Sequence, residues 1–159
     1  MDLEVALKHR AQVEEFRRKH RIGLLTLVFT DIVGSTELKQ RWGDLESTAL
    51  IQRHHEIARE ILSGFPESEV IGTAGDSCFL VFAKPSDAVK FALLLQGRIR
   101  ALAQATGRAM FDRLGIHVGE VVIEEAGRAD KPKDLYGMQV DSCARIMSLA
   151  KGSQILMSR

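Results

Sequence analysis

The chain has 159 residues, 45% of them hydrophobic, and its 22 Lys plus Arg nearly balance 21 Asp plus Glu for a formal net charge of +1. This size suits one globular domain with a substantial core, and the balanced charge excludes a strong general attraction to nucleic acid or to an anionic membrane. The longest apolar runs are of strand length and the N-terminus is charged, so neither a membrane-inserted segment nor a secretory peptide is expected, and the cytoplasm is the expected location.

Met1 to Arg21 places Leu3, Ala6, Leu7, Arg10, Val13 and Phe16 near helical spacing, which predicts an N-terminal amphipathic helix or linker over 1–21 ahead of a single domain over 22–159. That helix either docks on the domain, pairs with its twin or stays solvated. Its basic end, Arg17 to Arg21, reads as a solvated helix terminus whose cations suit the C-terminal dipole. A strand is expected from Leu24 to Thr30, then a short helix near Thr36 to Trp42. A longer helix follows from about Leu45 to Ser63, with Asp44 as its cap and Gly64 past its end. Two strands, Glu69 to Thr73 and Cys78 to Phe82, flank Ala74-Gly75-Asp76-Ser77 as a hairpin.

Pro85 opens a helix whose apolar stripe, Ala88, Phe91, Ala92, Leu95, Ile99 and Leu102, runs until Gly107. Leu114, Ile116 and Val118 alternate, and Val121 to Ile123 follow Gly119, which reads as two more strands separated at the glycine. A charged loop, Glu124 to Lys133, a helix from Gly137 to Ala150 and a strand from Gln154 to Met157 complete the order β-α-α-β-β-α-β-β-α-β. Such an order implies an α+β fold: a ferredoxin-like, mainly antiparallel sheet with helices packed on one face.

The candidate chemistry starts at Asp31, where the first strand ends and Ile32-Val33-Gly34-Ser35-Thr36 turns the chain. A carboxylate at the end of a buried strand, backed by a glycine-containing turn of N–H groups, can present a metal and a polyphosphate together. In the expected layout the hairpin tip bearing Asp76 lies beside that strand end. Singly, Asp31 is explained as a helix cap and Asp76 as a turn residue. Two carboxylates converging on one place instead need cations between them, and oxygen ligands of this kind suit two magnesium or manganese ions acting on a phosphate ester. Asp141 and Arg145 share one face of the late helix at i,i+4 spacing, which a local ion pair also explains. His54-His55 and His117 lack a third clustered ligand and read as structural, while Cys78 and Cys143 read as ordinary buried thiols.

Four ordered blocks carry a family resemblance: FTDIVGST at Phe29 to Thr36, TAGDSCFLVF at Thr73 to Phe82, LGIHVGEVV at Leu114 to Val122 and DLYGMQVDSCARI at Asp134 to Ile146. Together they resemble the class III adenylyl/guanylyl cyclase catalytic domain from about Leu24 to the last residue. The resemblance implies that a nucleoside triphosphate is converted to a 3′,5′-cyclic monophosphate and pyrophosphate, in a homodimer whose subunits associate head to tail. It implies that Asp31 and Asp76 hold the metals and that the backbone of Ile32, Val33, Gly34, Ser35 and Thr36 holds phosphate. Asp134 would accept a hydrogen bond from the adenine amino group, and Arg145 would steady charge on the α-phosphate from the other subunit.

Two positions depart from the family pattern. Asp141 stands where an asparagine commonly orients the ribose, replacing a donor and acceptor with an acceptor-only anion. Gly72 stands where a lysine commonly reads the purine, so Asp134 alone faces an amino group that adenine and cytosine share; ATP is the first choice of substrate. The chain stops at Arg159, before the family's closing strands and their usual phosphate-binding lysine, so either the sequence is a piece of a longer protein or that contact is absent; Arg128, Lys131 and Lys133 read as an exposed charged loop. A catalytically degenerate relative acting as a nucleotide-binding or dimerisation module is the leading alternative. A diguanylate cyclase is the other, though its Gly-Gly-Asp/Glu-Glu-Phe run is not found.

Overall fold

The computed structural model describes residues 3–20, 22–124 and 134–159. In chain order they form α1 (Leu3–His20), β1 (Ile22–Val33), α2 (Ser35–Trp42), α3 (Asp44–Leu62), β2 (Ser68–Ala74), β3 (Ser77–Phe82), α4 (Pro85–Thr106), β4 (Phe111–Glu124), β5 (Asp134–Tyr136), α5 (Met138–Leu149) and β6 (Ile155–Met157). The α+β class is as expected, although the fifth strand is β5 at Asp134–Tyr136 rather than a strand at Val121 to Ile123. Arg128, Lys131 and Lys133 lie outside the described residues.

The sheet runs β2-β3-β1-β4-β5, with β6 also paired to β4. Every pairing is antiparallel except β4 with β6. β1 is a central strand, laddered to β3 from Thr26↔Phe82 to Thr30↔Cys78 and to β4 along its whole length, from Ile22↔Val122 to Val33↔Phe111. From Thr26 to Thr30 the strand is covered on both faces as well as paired on both edges, which is why Leu27, Val28 and Phe29 run apolar without a break.

Two cores follow from the alternation of side chains across β1. Val28 and Ile32 face one side, where the stripe Ala88, Phe91, Ala92, Leu95 and Ile99 of α4 and Leu50, Ile57 and Ala58 of α3 complete the larger cluster. Leu27 faces the other side, buried with Val81, Val121 and Cys143 and joined by Leu25, Phe29, Phe79 and Val140. α5 therefore packs on the opposite face from α3 and α4, so the expectation of helices on one face holds for those two and for α2, whose Leu38 joins the larger cluster, but not for α5.

Three local expectations change for physical reasons. β1 does not stop at Asp31 but continues to Val33, because β4 supplies ladder partners to Ile32 and Val33 as well. The long helix is capped by Gly43, and Asp44 is its first residue. Leu114 to Ile123 belongs to one 14-residue strand, with no break at Gly119. That glycine serves packing instead. A Cβ at Gly119 would stand 2.6 Å from Gln139 Cγ, and one at Gly115, four residues earlier on the same face, 2.4 Å from the Met147 backbone nitrogen. The two glycines let α5 lie against β4 at backbone distance.

Candidate active site at the end of the sheet

The last ladder pair between β1 and β3 is Thr30↔Cys78. Asp31 lies one residue beyond it on β1, and Asp76 two residues beyond it in the turn that joins β2 to β3. The topology thus brings both acidic residues to one end of two neighbouring strands, although 45 residues separate them in sequence. Gly75 beside Asp76 takes a left-handed conformation (φ 59°), and its carbonyl accepts a 2.8 Å hydrogen bond from His55 Nε2 on α3, which ties the tip to the helix layer.

Immediately after β1, Gly34 turns the chain into α2 with φ 71° and ψ 35°, a conformation that disfavours any side chain. Its carbonyl accepts from Leu38 N at 2.9 Å. No side chain caps this helix end, so the N–H groups of its first turn, beginning at Ser35, remain available to an anion at the positive end of the helix dipole. Glu37 lies close enough to meet a Cβ built on Gly34 at 2.7 Å. Ile32 is buried in the larger core, whereas Val33 and Thr36 are exposed.

The residue that organises Asp31 has no signal in the sequence around it. Arg113 of β4 is its register partner. The Arg113 Nε donates to Asp31 Oδ1 at 3.2 Å and Nη2 to Oδ2 at 3.1 Å, a bidentate fork. Nη1 donates to the Ser148 carbonyl at 3.0 Å and the Ala150 carbonyl at 3.4 Å, so the same guanidinium also closes the C-terminal end of α5. Both side chains are mostly buried, at 25% and 17% exposure. No local pattern signals this pair, because its members stand 82 positions apart and meet only through the β1/β4 register.

Asp141 and Arg145 sit on the outward side of α5, whose buried residues are Cys143 and Met147. Among the described residues no ion pair joins them, so the local pairing that their spacing allows does not form. Asp134 opens β5, where its register partner is Glu124 at the end of β4. Gly72 follows a register shift in β2, is exposed, and has nothing within 4 Å of a Cβ built on it.

Of three other residues named from the sequence, His117 and Cys143 have structural surroundings and Cys78 has a histidine beside it. His117 is held by Ser158 Oγ at 2.6 Å from Nδ1 and by Gln139 Oε1, a structural role. Cys143 is fully buried on the α5 face; burial pushes its thiol up to about 12. Cys78, pushed by burial to about 11, is not an isolated thiol: its sulfur lies 2.9 Å from His55 Nδ1.

The chemistry available at this end of the sheet is that of two carboxylates, one already neutralised by a cation, beside a free helix N-terminus. A family model described as the adenylate and guanylate cyclase catalytic domain matches residues 18–159. An adenylate cyclase of Podospora anserina is 29% identical over 155 residues, covering 86% of this chain and 7% of that protein. The guanylate cyclase domain of RhGC from Catenaria anguillulae, solved in complex with GTP, superposes with TM-score 0.74 at 24% identity, over 87% of this chain and 79% of that one. The adenylyl cyclase CyaB from P. aeruginosa gives TM-score 0.77 at 22% identity, over 87% and 78%. The chain spans from 7% to 43% of the length of the first curated relatives it matches. Among the described residues no helix is long and apolar enough to cross a membrane.

Proposed function

The chain belongs to the adenylate and guanylate cyclase catalytic domain family, and on that premise we propose that it converts a nucleoside triphosphate, ATP first, to the 3′,5′-cyclic monophosphate and pyrophosphate. The observation that carries this reading is the pairing of Thr30 with Cys78, which sets Asp31 and Asp76 at one strand end beside the uncapped first turn after Gly34.

Asp31 and Asp76 offer an all-oxygen donor set suited to magnesium or manganese. The Asp31 carboxylate is held at the strand end by the Arg113 guanidinium, with its oxygens at the same end of the sheet as Asp76. When bound, two divalent ions supply Lewis acidity toward the 3′-hydroxyl and the triphosphate oxygens. Asp31 and Asp76 set the place where the 3′-oxygen meets the α-phosphorus. The N–H groups after Gly34 hold phosphate oxygens without a change of conformation. As the 3′-O–P bond forms and the bond from the α-phosphorus to the bridging oxygen breaks, the hydroxyl proton leaves to solvent and pyrophosphate departs. Arg113 would hold the Asp31 carboxylate in place at the strand end through its bidentate fork.

Arg145 and Asp141 point away from the sheet that holds Asp31, and no ion pair or side-chain hydrogen bond occupies either group among the described residues. This favours their use across a head-to-tail dimer, in which Arg145 of the partner subunit steadies charge on the α-phosphate and Asp134 of the partner subunit accepts from the base amino group. With Gly72 in place of a longer side chain, base selection rests on Asp134. Incubating the dimer with manganese and each nucleoside triphosphate in turn tests the reading. Cyclic AMP as the main product is expected; no cyclic product from any triphosphate would leave a nucleotide-binding or dimerisation module.

A further inference from the structure

A second cluster of ligating atoms lies behind the hairpin tip, on the side of the sheet covered by α3. One ring nitrogen of His54, one of His55 and the Cys78 sulfur all lie within 4.8 Å of one another. His54 and His55 are neighbours on α3, and Cys78 enters from β3.

The hydrogen bonds already present select the right form of His55. Its Nε2 meets the Gly75 carbonyl at 2.8 Å, and a carbonyl oxygen can only accept, so Nε2 carries the hydrogen. The Nδ1 lone pair is then left facing Cys78 Sγ at 2.9 Å. A backbone carbonyl that fixes the far nitrogen while the near one points at a ligand position is the outer-shell arrangement of metal-binding histidines.

His54 supplies the independent observation. Its side chain is fully buried, at 0% exposure, yet neither ring nitrogen has a hydrogen-bond partner. Burying an imidazole with both nitrogens unsatisfied forfeits the hydrogen bonds that water would supply to them. Asp112 Oδ2, itself buried and unpartnered, stands 3.7 Å from His54 Nε2, beyond hydrogen-bond distance. A divalent ion at the three-residue cluster would give the fully buried His54 ring the partner it lacks, while Asp112 stands outside that cluster.

We propose that His54, His55 and Cys78 form a binding site for a borderline-soft divalent transition ion, zinc first, separate from the oxygen site of Asp31 and Asp76. A tetrahedral zinc holds nitrogen at about 2.0 Å and thiolate sulfur at about 2.3 Å, so its ligands stand about 3.3–3.7 Å apart. The cluster reaches that geometry when the His55–Cys78 pair opens by about half an ångström and the widest separation closes by about one. Binding replaces the thiol proton, which leaves to solvent, by the metal–sulfur bond; no electrons are transferred. His55 is half-buried and gives the ion its way in, and a water completes the coordination. Magnesium and manganese prefer carboxylate and carbonyl oxygen and are not competitors here.

The test uses the whole chain, purified without chelator and then dialysed against zinc in the presence of excess magnesium. One zinc per chain is expected, and it persists in the Asp31→Asn, Asp76→Asn double variant. Cys78→Ser and His55→Ala are each expected to weaken zinc binding at least about a hundredfold, whereas Cys143→Ser leaves it unchanged. Cobalt on the unmodified chain gives a reading that needs no variant to fold: a thiolate-to-cobalt charge-transfer band in the near ultraviolet, abolished by stoichiometric zinc. Absence of that band, or zinc binding that survives Cys78→Ser, overturns the proposal.

Discussion

Gly115→Ala is the most direct probe of how the sheet positions α5. The added Cβ would stand 2.4 Å from the Met147 nitrogen and 2.8 Å from its Cα, roughly one ångström short of ordinary contact. Those atoms are helix backbone, so no rotamer change relieves the clash and α5 as a whole must move outward. Forcing one methyl into such a packed interface costs about 1–3 kcal/mol. With a urea slope of about 2 kcal/mol/M, the unfolding midpoint drops by about 0.5–1.5 M. Because α5 carries Arg145 and Asp141, a one-ångström displacement should also lower turnover, by up to about a hundredfold. Gly72→Ala is the matched control: its Cβ meets nothing within 4 Å, so its stability should stay within about 0.5 kcal/mol of the parent. Urea unfolding followed by circular dichroism, with turnover measured on the same samples, reads both effects. An unchanged midpoint for Gly115→Ala would refute the close approach of α5 to β4.

Asp31→Ala and Asp76→Ala should both abolish metal-dependent turnover, yet only Asp31→Ala should also lower the thermal midpoint, since it strands the mostly buried Arg113 guanidinium; equal melting losses would count against that pairing. Arg145→Ala should slow turnover while nucleotide affinity, read by calorimetry, and the unfolding midpoint stay near those of the parent. Mixing Asp31→Ala with Arg145→Ala chains should restore one of two shared sites, and failure of every such mixture would argue against head-to-tail pairing. Gly72→Lys has room for its side chain and should raise the ratio of purine to pyrimidine product, measured by competition between triphosphates. For Cys143, the folded thiol at about 12 lies above its ordinary value of 9.0. The native chain should therefore resist iodoacetamide there at pH 8. Above pH 9 the unfolded chain holds fewer protons than the folded one, so stability falls as pH rises toward 12.

Much of this architecture is legible in the sequence because it is written in local periods. The stripe of α4, the strand Leu24 to Thr30 and the hairpin around Gly75-Asp76 each follow from spacing and turn chemistry alone. What stays hidden is pairing. Arg113 looks like any strand cation until the β1/β4 register sets it against Asp31. Gly119 resembles a strand break because glycine ends strands as readily as it admits a close neighbour, and only α5 lying across it distinguishes the two. The same holds for His54 and His55, whose third ligand, Cys78, is supplied by a strand packed behind their helix. Which face α5 covers is likewise a tertiary fact, decided by Leu27, Val81 and Val121 burying Cys143.

The central claim is that Asp31 and Asp76 together hold divalent ions beneath a triphosphate, and counting those ions tests it most directly. Manganese bound per chain, measured by equilibrium dialysis with a non-cyclising ATP analogue, is expected to reach two ions per occupied site and to fall sharply in Asp31→Asn and in Asp76→Asn alike. Undiminished manganese in both variants would contradict the account.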